Sequence, residues 1–158
     1  MACSVRPGDL EGLDALECDS LAVFCWSDVR PLTGVAGFLD WRLCGALSEA
    51  ILNQHFVGEL QESLLMSLQS RLPIRRIFVF GLGRSTELDE GGVDQACGHA
   101  VSVLSGAGAE SISLAIPSHR RDSEKAATFL HRVETHWRKE VDTVVVEPGQ
   151  ITPGLLED

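Results

Sequence analysis

Nothing in this sequence of 158 residues approaches the roughly 20 consecutive apolar residues that a membrane-spanning helix needs. The N-terminal stretch, acidic at Asp9, Glu11, Asp14 and Glu17, lacks the basic start of a secretion signal. A cytoplasmic protein without membrane contact is expected. The five cysteines, Cys3, Cys18, Cys25, Cys44 and Cys97, are odd in number and scattered, with no C-x-x-C pair and no histidine at zinc-ligand spacing. Reduced thiols and no bound metal follow. Basic residues are scarce: 13 Lys and Arg against 23 Asp and Glu give a net charge of −10. Such a field repels phosphate polymers and anionic membranes, which argues against a nucleic-acid partner. The local catalytic patterns G-x-S-x-G and H-E-x-x-H are missing too, so no catalytic residue and no cofactor is assigned.

What remains is ordinary globular composition, 44% apolar and 23% charged, in a length that suits one domain with its own core. Leu21 to Trp26 is a short apolar run with β-branched and aromatic members between Asp19-Ser20 and Ser27-Asp28, which predicts a buried strand. Past Pro31, the residues Val35, Leu39, Leu43, Ala46, Leu47, Ala50 and Ile51 recur at helical spacing and predict one amphipathic helix, with Trp41 and Cys44 packing at its margins. The stretch "HFVGELQESLLMSLQSRLP" fits either a helix through Leu60, Leu64 and Leu68 or a hairpin turning at Gly58.

Ile74 to Phe80 form the strongest predicted strand. Val93, Cys97, Ala100 and Leu104 predict a helix with Gly106 at its C-cap, and Ser111 to Ile116 a strand stopped by Pro117. Asp122 or Ser123 is placed to cap a helix whose core face is Ala126, Leu130, Val133 and Trp137, and Val144 to Val146 give a last strand. Strands and helices alternate, so the expected fold is α/β, a three-layer α/β/α sandwich with a mixed, mostly parallel sheet. Residues 13–147 form the predicted domain, with tails at 1–12 and 148–158.

The candidate ligand loop is Gly81, Gly83, Arg84 and Ser85, at a strand exit where open α/β sheets place ligands. It matches neither G-x-x-x-x-G-K-[ST] nor G-x-G-x-x-G, and Glu87, Asp89 and Glu90 oppose a phosphate, so a structural turn is the preferred reading. His131 and His136 lie about 140° apart around a helix and do not converge on a metal. Arg71, Arg75, Arg76 and the triplet His119-Arg120-Arg121 read as solvated basic positions.

The order "DSLAVFCWSDVRPLTGVAGFLDWRLCGALSEAI", "HFVGELQESLL", "RIFVFGLG" and "SISLAIP" resembles the N-terminal domain of the leucyl aminopeptidase family. The resemblance rests on Asp19, Leu32 with Gly34, Leu39-Asp40, Phe56 with Gly58, and Gly81-Leu82-Gly83. It implies a macro-domain-like fold and strands in the ambiguous Leu60 to Leu68 segment. In that family catalysis belongs to a second domain with two metal ions and an Asn-Thr-Asp-Ala-Glu-Gly-Arg-like segment. The one asparagine here is Asn53, so aminopeptidase activity is not expected of this chain.

Macro domains also suggest ADP-ribose, but the Asn-rich loop of the binders is missing. Some full-length relatives bind DNA, which the charge of −10 opposes. The expected role is a non-catalytic module that binds or regulates a protein partner, such as a peptidase, or forms homo-oligomers. The alternatives are a nucleotide or ADP-ribose binder and an accessory subunit of an aminopeptidase assembly.

Overall fold

A computed structural model describes residues 4–68, 72–117, 124–137 and 141–146. In chain order the elements are β1 (Ser4–Pro7), α1 (Leu10–Asp14), β2 (Ser20–Cys25), α2 (Gly34–Arg42), α3 (Ala46–Leu52), β3 (Ser63–Ser67), β4 (Arg76–Gly81), α4 (Glu90–Gly106), β5 (Ile112–Ala115), α5 (Glu124–His136) and β6 (Thr143–Val146). The strands form one sheet in the order β1-β6-β5-β2-β4-β3. Every neighbouring pair is parallel except β3 with β4.

The apolar runs are continuous because both faces of the sheet are covered. Along β2, Leu21, Val23 and Cys25 join Leu13, Val35, Leu39, Leu47 and Phe56 on one face. Their neighbours Ala22 and Phe24 face Cys97, Ala100, Leu104, Phe129, Leu130 and Val133 on the other. Helices α1 to α3 therefore cover one side of the sheet and α4 and α5 the opposite side. This is the three-layer arrangement expected from the alternation of strands and helices.

Several expectations are corrected. Residues 4–12 are no loose tail: β1 pairs in register with β6, from Ser4 opposite Thr143 to Pro7 opposite Val146. Asp9 then caps α1 by accepting from the Gly12 amide at 2.8 Å. The single helix through Val35 to Ile51 is two, because Cys44 and Gly45 take positive φ angles of 56° and 82° that no right-handed helix contains. The Asp40 carboxylate, still on α2, accepts from the Leu47 and Ser48 amides at 2.9 and 3.0 Å and so caps α3.

That break turns Trp41 and Cys44 outward, and Trp41 is 68% exposed rather than packed. The ambiguous segment resolves into β3, held antiparallel to β4. Helix α4 starts at Glu90, ahead of the apolar stripe, because Asp89 accepts from the Gly92 amide at 2.7 Å. It closes on Ala107, with the left-handed residue at Gly108 (φ 69°) rather than at Gly106. Cys3, Arg71, the triplet His119 to Arg121, the Asp122 or Ser123 cap, the Ala126 side chain and the 148–158 tail lie outside the described residues.

Candidate functional site

β4 lies on one side of β2 and β5, which leads on to β6, on the other, so the crevice beyond the carboxyl ends of these three strands is the topological switch point of the sheet. The glycine loop forms one wall. A Cβ on Gly81 would stand 1.9 Å from the Glu59 carbonyl oxygen, and Gly83 adopts φ 72°, so one glycine permits a close backbone approach and the other a left-handed turn. The loop's backbone is engaged within the chain. The Leu82 amide donates to the Cys25 carbonyl at 3.0 Å, the Gly83 amide to the Gly58 carbonyl at 2.9 Å, and the Ser27 amide to the Gly83 carbonyl at 2.9 Å.

The polar side chains of the candidate ligand loop, Arg84 and Ser85, face carboxylates of this chain. Ser85 donates from its amide and its hydroxyl to Asp28, both at 2.9 Å. The Ser85 amide is the main reason the Asp28 carboxyl is held below the usual range. Arg84 lies exposed at 3.9 Å from Glu87. Beside it, the Glu62 carboxylate accepts from the amides of Val57, Gly58 and Glu59 at 3.1, 2.8 and 3.0 Å. This is a backbone cradle for an anion, filled from within the protein. Arg30 is likewise occupied, donating to the carbonyls of Trp26, Val29 and Val57.

Between the ends of β2 and β5 lies an apolar cavity against Phe24, Trp26, Leu32, Val35, Ile116 and Pro117. Its free volume is about 20 Å³, room for a water molecule rather than a nucleotide. Cys25, at its wall, has its thiol pushed up to about 12 by burial, as does Cys97 on the buried face of α4. Both are neutral at physiological pH and unsuited to nucleophilic work.

The remaining candidates are scattered. His136 approaches Asp94 at 3.0 Å and Arg132 approaches the same oxygen at 3.5 Å, a clamp between α4 and α5 in which the His136 hydrogen bond lowers the Asp94 pKa. His131 is exposed, its carbonyl taken by the Thr135 hydroxyl. Arg76 lies at the opposite end of the strands, bound to Asp19 at 2.6 Å and to the Ala107 carbonyl at 2.8 Å. Among the described residues no group of three or more His, Cys, Asp or Glu is placed to hold a metal ion.

Sequence reasoning missed Asp28, Arg30 and Glu62, the three charged residues that organise the crevice. Asp28, two residues past the first apolar run, and a glutamate four residues past Gly58 were the available signals.

The sequence pattern of the "Cytosol aminopeptidase family, N-terminal domain" matches residues 22–135. A probable cytosol aminopeptidase of Geobacter sulfurreducens is 32% identical over 108 residues, which are 68% of this chain and 21% of that protein. One from Geotalea uraniireducens is 33% identical over 121 residues, 74% of this chain and 23% of that protein. The matched region thus spans about a fifth of these relatives. Among solved structures, the macrodomain of Mycobacterium tuberculosis DarG superimposes with a TM-score of 0.68 at 12% identity, covering 93% of this chain and 99% of that one. A tomato leucine aminopeptidase mutant superimposes at 0.66 and 18% identity, over 97% of this chain and 34% of that one. With its macrodomain-like sheet and this match over most of its length, the chain belongs to the cytosol aminopeptidase family, as a representative of that family's N-terminal domain.

Proposed function

We propose that this chain is a non-catalytic interaction module that binds a protein partner and regulates or assembles it, the partner being a peptidase of the aminopeptidase family. The observation that carries the reading is the outer face of α2. Trp41 is 68% exposed and Phe38, one turn earlier, 39% exposed, so two large aromatic side chains stand together in water with nothing described over them. Aromatic side chains of this kind dominate binding energy when a partner covers them. The donors of the glycine loop, by contrast, are directed at carbonyls and a carboxylate of the chain itself. A cytoplasmic setting suits the reading, since the relatives are named as cytosol aminopeptidases and no described helix is long and apolar enough to cross a membrane.

The test mixes the purified protein with a cytosol aminopeptidase of the same host. Complex formation is followed by light scattering after gel filtration, and turnover of a leucine anilide is measured with and without the module. A complex weakened by Trp41→Ala supports the reading. Hydrolysis of the anilide by the module alone, dependent on added zinc or manganese, would overturn its non-catalytic part.

A second reading, an ADP-ribose or nucleotide binder, is favoured by the crevice at the switch point and by the macrodomain likeness. The small cavity and the filled Glu62 cradle weigh against it. Calorimetry with ADP-ribose at millimolar concentration decides it: heat and a thermal shift would bring this reading forward, and silence would remove it.

A further inference from the structure

The two edges of the sheet are built differently. At one end β1 carries Arg6 and Pro7, a charge and a missing donor, both of which discourage edge pairing. At the other end β3, Ser63-Leu64-Leu65-Met66-Ser67, has no charge, no proline and no glycine. Among the described residues no strand pairs with its outer side. Leu64 and Met66 pack inward, while Leu65 points from the other face and is 56% exposed.

The hydrogen-bond phase of this edge follows from its inner partner. Ser63 lies opposite Phe80, and the Gly81 amide donates to the Glu62 carbonyl at 2.9 Å, which makes Glu62 and Gly81 a hydrogen-bonded pair. In an antiparallel ladder such pairs alternate, so the amides and carbonyls of Ser63, Leu65 and Ser67 point away from β4. These are the groups a further strand would engage.

We propose that a second copy of this chain pairs there, its β3 antiparallel to the first, about a two-fold axis at Leu65. This register sets Ser63 opposite Ser67, Leu64 opposite Met66 and Leu65 opposite its own copy, so each side chain meets one of its own kind. Ser63, Leu65 and Ser67 then fall at hydrogen-bonded positions on both copies, giving about six main-chain bonds across the axis. The strand is neutral where two molecules of charge −10 would otherwise repel. The result is a closed, two-fold dimer with a continuous sheet of twelve strands, twice the six of one copy. A contact centred on five residues is small beside the roughly 1,200 Å² of a stable interface, so the dimer is a weak, reversible one. Screening the net charge with salt strengthens it.

This inference goes beyond the proposed peptidase partner and uses a different surface. Sedimentation equilibrium of the full chain from micromolar to millimolar concentration is expected to show a monomer–dimer equilibrium that tightens between 50 mM and 500 mM NaCl. Leu65→Lys, which sets two like charges face to face, is expected to raise the dissociation constant about tenfold or more while leaving the circular dichroism and melting curve unchanged. Because paired Cα atoms at such a position lie about 5.5 Å apart, within disulfide range, Leu65→Cys in a Cys3→Ser, Cys44→Ser background is expected to form one intermolecular crosslink on mild oxidation. A monomer at every concentration, or a dimer indifferent to Leu65→Lys and uncrosslinked through position 65, overturns the proposal. Trp41→Ala serves as the control: it removes the aromatic face and leaves the dimer intact, so failure of either reading is seen separately.

Discussion

Ser85 gives both its amide and its hydroxyl to the Asp28 carboxylate at 2.9 Å, joining the loop after β4 to the loop after β2 across 57 residues of sequence. Each bond is made to the ionised carboxylate, which is why the Asp28 pKa is lowered in the folded protein. Asp19 is lowered by its hydrogen bond from Arg76, and Asp94 by its hydrogen bond with His136. A depressed folded pKa means that the unfolded chain takes up the proton first as the solution is acidified. The stabilisation is complete above the unfolded value of about 3.9 and is lost as pH falls through the lower folded value. Urea denaturation between pH 2 and pH 6 is expected to show this acid limb. Asp19→Asn, Asp28→Asn and Asp94→Asn should each flatten it, and a limb unchanged in all three would contradict the assignment.

Two glycines separate steric need from habit. Gly81 has no room for a methyl group, since the Cβ would lie 1.9 Å from the Glu59 oxygen and 2.6 Å from the Gly58 carbonyl carbon. Backbone atoms cannot rotate away as a side chain would. Gly81→Ala is therefore expected to cost about 3 kcal/mol, seen as a lower urea midpoint at an unchanged slope. Gly106, the last residue of α4, has nothing within 4 Å of the same added atom. Gly106→Ala is expected to stabilise by about 0.5 kcal/mol through the unfolded chain's lost freedom.

Asp40 does the work of a cap from outside the helix it caps. Its carboxylate receives the Leu47 and Ser48 amides and the Ser48 hydroxyl, while Gly45 at the N-cap position has no side chain to offer. Asp40→Ala is expected to cost about 1 to 2 kcal/mol, at the upper end for a single cap. Asp40→Asn keeps an acceptor for the amides and is expected to recover more than half of that in the same thermal melts.

Where burial alone decided the structure, the sequence was readable. The runs through β2 and β4 are apolar because both faces are covered, and the stripe on α4 marks the face that meets the sheet. Conformation at single residues was not. The apolar stripe continues through Leu43 to Leu47 across the break between α2 and α3, because both helices cover the same sheet face. The break itself depends on positive φ at Cys44, a residue with no local preference for it.

β1 was invisible for another reason: four residues including a proline form a strand only because β6, about 140 positions away, supplies the partner. At the candidate site the glycines announced a turn. The carboxylates that occupy its donors, Asp28 and Glu62, come from other segments, so no local pattern could link them to Ser85 or to the Val57 to Glu59 amides.

The three tryptophans make the aromatic face measurable. Trp26 and Trp137 are buried at 8% and 5% exposure, whereas Trp41 is 68% exposed. Acrylamide is expected to quench one emission component strongly and the others weakly, and Trp41→Phe is expected to remove the quenched, red-shifted component. Since Trp41 touches little of the core, that substitution should change stability by less than about 0.5 kcal/mol. Adding the partner peptidase is then expected to protect the wild-type component, because an aromatic anchor loses its water on binding. If the peptidase binds and Trp41 stays as quenchable as before, the contact lies elsewhere on the molecule, and the α2 face loses its role in the proposed function.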